Sequence, residues 1–235
     1  MIGEILPATV AFAEAFADPP DVVLFPEEEA LLVRAVEKRR REFGTARHCA
    51  RTALGALGVP PAPILPGEAG APQWPAGIVG SITHCAGYRA AVVARAHDVL
   101  TIGIDAEPDQ SLPGEVLALV SRPAERARLA DLASAAPGVS WDRLLFSAKE
   151  SVYKAWFPLA RRWLGFADAD ITINPEDGTF DARLLVPGPL VPAPVVGGTV
   201  VGGTALDGLA GRWLARDGVI LTAITVPGAP GAPLA

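Results

Sequence analysis

The hexapeptide Gly103-Ile104-Asp105-Ala106-Glu107-Pro108 closes the apolar run Val99, Leu100, Thr101, Ile102. On an extended chain, residues two apart point the same way. Asp105 and Glu107 therefore present two carboxylates to one place where a strand leaves the core. Two like charges held together repel unless a cation sits between them. A hard divalent ion, Mg²⁺ rather than Zn²⁺, suits them because every candidate ligand is oxygen; two solvated acids at a strand end are the plainer alternative. A second cluster is Phe146-Ser147-Ala148-Lys149-Glu150-Ser151-Val152-Tyr153-Lys154-Ala155-Trp156. Glu150 and Lys154, four apart, share a helix face, and Lys149 lies about 100° round from Glu150. Alone, that is a surface ion pair worth under ~0.5 kcal/mol. Together the clusters suggest more: Glu150 would be the third carboxylate of a site that Asp105 and Glu107 leave unfilled, with two lysines at hand for phosphate oxygens. Three acids on one ion should lie within roughly 3 to 6 Å of a common point.

Other chemistries fit less well. His48-Cys49 and His84-Cys85 repeat a dipeptide, but adjacent residues diverge on a helix or strand, and neither pair has the ligand spacing of structural zinc. No phosphate-binding Gly-x-x-x-x-Gly-Lys-Ser/Thr loop and no nucleophile elbow is present. Still open are another Mg²⁺-dependent phosphoryl or nucleotidyl transfer by the same acids, and a non-catalytic adaptor binding acidic proteins through Arg39 to Arg41.

Helices and strands must carry these clusters. Pro26 followed by Glu27, Glu28 and Glu29 opens a helix. Leu31, Leu32, Ala35, Val36 and Phe43 continue its spacing, and after Gly44 the series resumes with Ala46, Ala50, Ala53, Leu54 and Leu57 until Gly58, Pro60 and Pro61 stop it. Tyr88 to Arg95 and Val99 to Asp105 read as a hairpin turned at Ala96, His97 and Asp98. A second helix runs from Ser140, its N-cap, to Pro158. Strands follow at Ile171 to Ile173, Phe180 to Val186 and Gly211 to Val226. The segment around Ala94 to Thr101 echoes Ala215 to Thr222, which suggests either two similar halves with a cleft between them or two hairpins sharing turn chemistry.

Composition bounds the setting. The chain has 235 residues, half of them hydrophobic, and can bury a real core. A net charge of −6 gives no global positive field for nucleic acid. Two cysteines and a start without a basic, apolar leader point to a cytoplasmic protein. The charge-free stretch Leu184 to Leu206 is too rich in proline and glycine to span a membrane and reads as an irregular loop, and the tail after Pro227 reads as disordered.

Gly-Ile-Asp-Ala-Glu followed about forty residues later by Ser-Ala-Lys-Glu-Ser-x-x-Lys resembles the two signature motifs of the 4′-phosphopantetheinyl transferase superfamily. The resemblance extends to Gly80-Ser81-Ile82-Thr83-His84-Cys85, to Arg39, Arg40, Glu42, Phe43, Arg47, Ala50 and Arg51, and to Arg162-Trp163-Leu164-Gly165-Phe166. It is greatest to the monomeric, two-halved type that activates polyketide and non-ribosomal peptide synthases, in its actinobacterial form.

The resemblance implies an α+β fold of two similar α/β subdomains related by a pseudo-two-fold axis. Each would be a small antiparallel sheet with a long helix, the ligand lying in a cleft between them. The halves are expected at 1–104 and 105–226, before a tail at 227–235. It further implies transfer of the phosphopantetheine arm of coenzyme A to a serine of an acyl or peptidyl carrier protein. Asp105, Glu107 and Glu150 would hold Mg²⁺, with the Ala106 carbonyl a further ligand. Lys154 and its neighbour Lys149 would reach phosphates, Thr83 and His84 would meet coenzyme A near them, and Arg39 and Arg47 would bind the 3′-phosphate end. In the loop Ile64-Leu65-Pro66-Gly67, which would border the adenine, Pro66 stands where relatives often place lysine, so affinity would lean on Arg39 and Arg47. Glu125 matches a glutamate proposed as general base, a role that metal-bound water could also fill. The acidic carrier would dock on a patch of Arg161, Arg162, Trp163, Leu164 and Phe166, unless Trp163 and Phe166 are core residues.

Overall fold

The computed structural model describes residues 1–192 and 203–228. Two antiparallel sheets, each with a 20-residue helix laid on it, form two halves of an α+β fold. The first sheet joins β1 (Ala11–Ala15), β2 (Ile78–Cys85) and β3 (Tyr88–Arg95) in the order β1-β3-β2. The second contains β4 (Val99–Pro108), β5 (Ala169–Asn174), β6 (Thr179–Leu184), β9 (Gly208–Arg216) and β10 (Val219–Pro227) in the order β4-β10-β9-β6-β5. Within Leu184 to Leu206, β7 (Leu190–Pro192) and β8 (Gly203–Ala205) pair as a small ribbon, while 193–202 lie outside the described residues.

The sequence of β3 is almost continuously apolar because the strand is buried on both faces. Ala91 and Val93 pack on Cys49, Ala50, Ala53 and Leu54 of α2 (Glu37–Ala56). Tyr88, Ala90, Val92 and Ala94 face a core between the sheets, shared with Ile102, Ile104, Leu221 and Ala223. Strand β4 uses the same period of two. Ile102, Ile104 and Ala106 enter that middle core, and Thr101, Gly103, Asp105 and Glu107 turn toward α5 (Trp141–Ala160). Gly103 lets the helix approach, since a Cβ there would lie 2.0 Å from the Ser151 carbonyl oxygen. Thr101 Oγ1 donates to Ala155 O at 2.8 Å, so α5 runs back along β4.

The structure departs from the sequence expectations at several points. Strands β3 and β4 both form, yet not as a hairpin: β3 pairs with β1 and β2, and β4 pairs with β10. The turn at 96–98 carries the chain from one sheet to the other, so a division at 104 would cut through β4. The other member of the echo, β9 and β10 turned at Asp217-Gly218, is a true hairpin. The first helix, expected as one series to Gly58, is broken after α1 (Pro26–Ala30), and Gly44 sits buried inside α2. Ser140 makes no side-chain cap; instead Asp109 Oδ1 accepts its backbone N–H at 2.8 Å. Pro158 lies in the last turn of α5, which ends at Arg161 in a left-handed conformation, φ 50°. Strand β1 and the helices α3 (Gly114–Val120) and α4 (Pro123–Ala135) went unread in the sequence. Most of the tail lies outside the described residues.

Candidate active site

The two sheets meet edge to edge through side chains of the Ser81-Ile82-Thr83-His84 segment. Ser81 Oγ accepts the Ile104 N–H at 3.1 Å and Thr83 Oγ1 accepts the Ala106 N–H at 2.9 Å. These bonds hold β2 beside β4 where no backbone ladder joins them. Thr83 Oγ1 also lies 3.3 Å from Asp105 Oδ1, so its hydroxyl can donate to the carboxylate. From the other side, Lys154 Nζ donates to Asp105 Oδ1 at 2.7 Å and to Ile104 O at 3.0 Å. Asp105 is 5 % exposed, and its second oxygen, Oδ2, is buried without a hydrogen-bond partner. A buried carboxylate oxygen left unpaired carries a cost that a bound cation would remove.

Glu107 and Glu150 surround Asp105 electrostatically. Burial pushes both carboxyls above their ordinary value, and the Asp105 charge adds to the shift in each. Glu107 Oε2 accepts from Arg143 Nη1 at 3.0 Å, and Lys154 works against the shift of Glu150. Asp105 thus acts on an acid of its own strand and on one of α5. The three do not form a ready-made ligand set, since among the described residues no three His, Cys, Asp or Glu side chains are gathered as one. Of the convergence expected from the sequence, the structure shows the acids as neighbours, each engaged by a cation: Lys154 on Asp105 and Arg143 on Glu107. The donor chemistry, all oxygen with one orphaned buried acceptor, fits Mg²⁺.

The basic end is built from α2 and the following loop. Arg39 Nη1 lies 3.2 Å from His84 Nε2, and because a guanidinium only donates, Nε2 accepts and the imidazole proton sits on Nδ1. Lost hydration and the Arg39 charge push the His84 imidazolium below its ordinary value. Arg47 packs over the Phe43 ring at 3.7 Å and donates from Nε to Ile64 O at 3.2 Å, and burial pushes it down to about 10, so it stays charged at neutral pH. Pro66 and Gly67 lie in the tight turn that follows, closed by Gly67 N to Ala71 O at 2.7 Å and Gln73 N to Leu65 O at 2.9 Å. Arg51, grouped with these basic residues in the sequence, serves the fold instead, its Nη1 donating to both oxygens of fully buried Glu28.

Two expected site residues are elsewhere. Lys149 Nζ donates to Glu125 Oε2 at 2.7 Å and to Phe166 O at 2.6 Å, and both side chains are sealed from solvent. Glu125 also accepts from Arg122 N and Ile171 N, so each of its oxygens is engaged. Both residues are committed to this pair rather than turned to the three acids. Burial lowers Lys149, and Glu125 offsets part of that shift. A cavity of about 280 Å³ beside Glu125, lined by aliphatics of α4, α5 and β5 with Arg128 and Asp131, holds none of the three clustered acids. Arg143 was not singled out from the sequence, although 143, 147, 150 and 154 form one stripe along α5. Trp163 is 72 % exposed and rests on Tyr153 at 4.9 Å between rings, whereas Leu164 is buried and Phe166 half-buried. No helix among the described residues is long and apolar enough to cross a membrane.

Comparison with known proteins places two family models on the two halves. The 4′-phosphopantetheinyl transferase N-terminal domain matches residues 27–94, and the 4′-phosphopantetheinyl transferase superfamily matches 101–187. The chain is 55 % identical to the 4′-phosphopantetheinyl transferase Svp of Streptomyces mobaraensis, across 98 % of this chain and 91 % of that one. It is 53 % identical to the transferase Npt of Nocardia iowensis, across 95 % and 99 %, and 50 % identical to PptT of Mycobacterium tuberculosis, across 96 % and 98 %.

Proposed function

Since this chain belongs to the 4′-phosphopantetheinyl transferase superfamily, we propose how its own residues divide the work of moving phosphopantetheine from coenzyme A to a carrier-protein serine. The observation that carries the reading is the buried, unpartnered Asp105 Oδ2 at the seam where Glu107, Glu150, Lys154 and Thr83 meet. Asp105, Glu107 and Glu150 hold Mg²⁺, with the Ala106 carbonyl within the same strand as a further donor. When bound, the ion neutralises charge that builds on the pyrophosphate. Lys154, 28 % exposed, turns its one remaining donor to a phosphate oxygen. His84, Thr83 and Arg39 line the approach from the N-terminal half, and Arg47 with the turn at Pro66 and Gly67 receives the 3′-phosphate end.

The serine oxygen bonds to the phosphorus bearing the pantetheine arm. The pyrophosphate bond breaks, and adenosine 3′,5′-bisphosphate leaves. The serine proton passes to water, the alternative to Glu125 as base. The substrates are carrier proteins of fatty-acid, polyketide or non-ribosomal peptide assembly in the cytoplasm, modified by a monomer. Trp163, exposed at the end of α5, is the apolar contact that the acidic carrier meets, and salt screens only the charged part of that surface.

Mass spectrometry of an apo-carrier protein incubated with enzyme, Mg²⁺ and coenzyme A tests this. A gain of one phosphopantetheine group, abolished by chelation, is expected. No gain overturns the reaction, and equal gain under chelation overturns the metal assignment.

A further inference from the structure

We infer that Arg143 is a positioning residue that holds Glu107 by one oxygen beside Asp105 and leaves the other for a metal ion, an inference resting on the metal reading above. Glu107 is the second-last residue of β4, where the strand ends and no further ladder residue follows to fix its side chain. An unrestrained glutamate has rotamer freedom that a ligand would have to freeze. Arg143 removes that freedom beforehand. Its Nη1 donates to Glu107 Oε2 at 3.0 Å while its Nε donates to Gln110 O at 2.9 Å, so one guanidinium bridges the acid and the backbone just beyond it. Only one carboxylate oxygen is used in the bond, which leaves Oε1 for an ion.

The frame around this bridge is tied down on both sides. Asp109 Oδ1 accepts Ser140 N and Asp142 Oδ2 accepts Leu112 N, both at 2.8 Å, fastening the end of β4 to the start of α5. The two partners are 18 % and 20 % exposed, unlike the solvated pair Arg183–Asp170, where the arginine is 70 % exposed. Arg143 also lies seven residues before Glu150, on the same face of the same helix, so one rigid element sets the second and third acids relative to each other. Lysine could supply the charge but not both bonds, since its single ammonium lacks the planar fork.

The test uses Mn²⁺ as the probe, with free ion measured by electron paramagnetic resonance on the full chain without coenzyme A. Arg143→Ala should weaken Mn²⁺ binding about ten-fold, the lower end of what loss of an outer-shell partner costs. Arg143→Lys should recover part of the loss, and the thermal midpoint of the metal-free protein should change little. Unchanged or tighter Mn²⁺ binding in Arg143→Ala overturns the inference. If that variant does not fold, Arg143→Lys binding Mn²⁺ like wild type overturns it equally. Wild type that binds no Mn²⁺, or Asp105→Asn that binds as well as wild type, instead breaks the metal reading itself.

Discussion

Helix α5 carries two lysine–carboxylate pairs about 140° apart round its axis, with the same 2.7 Å separation and opposite construction. In Lys149–Glu125 the side chains are 2 % and 0 % exposed, and both carboxylate oxygens accept from backbone or lysine. In Lys154–Asp105 the lysine is 28 % exposed, one carboxylate oxygen takes both side-chain donors, and the other takes none. The first pair is complete, and it fastens α4 and the 166–171 segment to the helix. The second is incomplete in a buried place, beside two further acids that burial already drives toward protonation. What separates scaffold from site here is unspent hydrogen-bonding capacity rather than residue type or bond length.

Breaking each pair should therefore have opposite consequences. The largest effect is expected for Lys149→Met, which strands a buried carboxylate and should cost about 3–5 kcal/mol in urea denaturation. The folded fraction should keep its turnover within a few-fold; a collapse of activity without loss of stability would erase the distinction between the pairs. Asp105→Asn should reverse the pattern, lowering kcat by roughly 10²–10³, about 3–4 kcal/mol, with the metal-free fold intact.

The smallest effect sharpens the electrostatics. Glu150 has a carboxyl raised above its ordinary 4.5, so its charge costs the metal-free fold nothing below that value and the most above the raised one. Glu150→Gln should thus raise the metal-free melting temperature at pH 7 by about 2 °C, with the gain vanishing as pH falls toward 4.5. Glu125→Gln should lose stability at pH 7 instead. A stability gain for Glu150→Gln that persists at low pH would point to packing rather than charge.

Much of the site was legible because it follows local periods. Asp105 and Glu107 face α5 together by the period of two, and Glu150 and Lys154 share a helix face by the spacing of four. Lys149 shows where such reasoning ends: its angle on the helix was readable, but its partner Glu125 is set by tertiary packing against Ile171 N. The same limit hid the break between β3 and β4. Two apolar runs around a three-residue turn resemble a hairpin, yet each strand found a better partner in a distant segment, β1 for one and β10 for the other. Arg143 went unread because its meaning lies in the end of β4, 36 residues away.

The central claim is that the incomplete pair, not the complete one, is the metal site. Anomalous diffraction from a crystal soaked in Mn²⁺ and coenzyme A tests it most directly. A single protein-bound peak about 2.1 Å from Asp105 Oδ2, with Glu107 and Glu150 beside it, is the predicted result. A peak beside Glu125, or none near Asp105, would contradict the account.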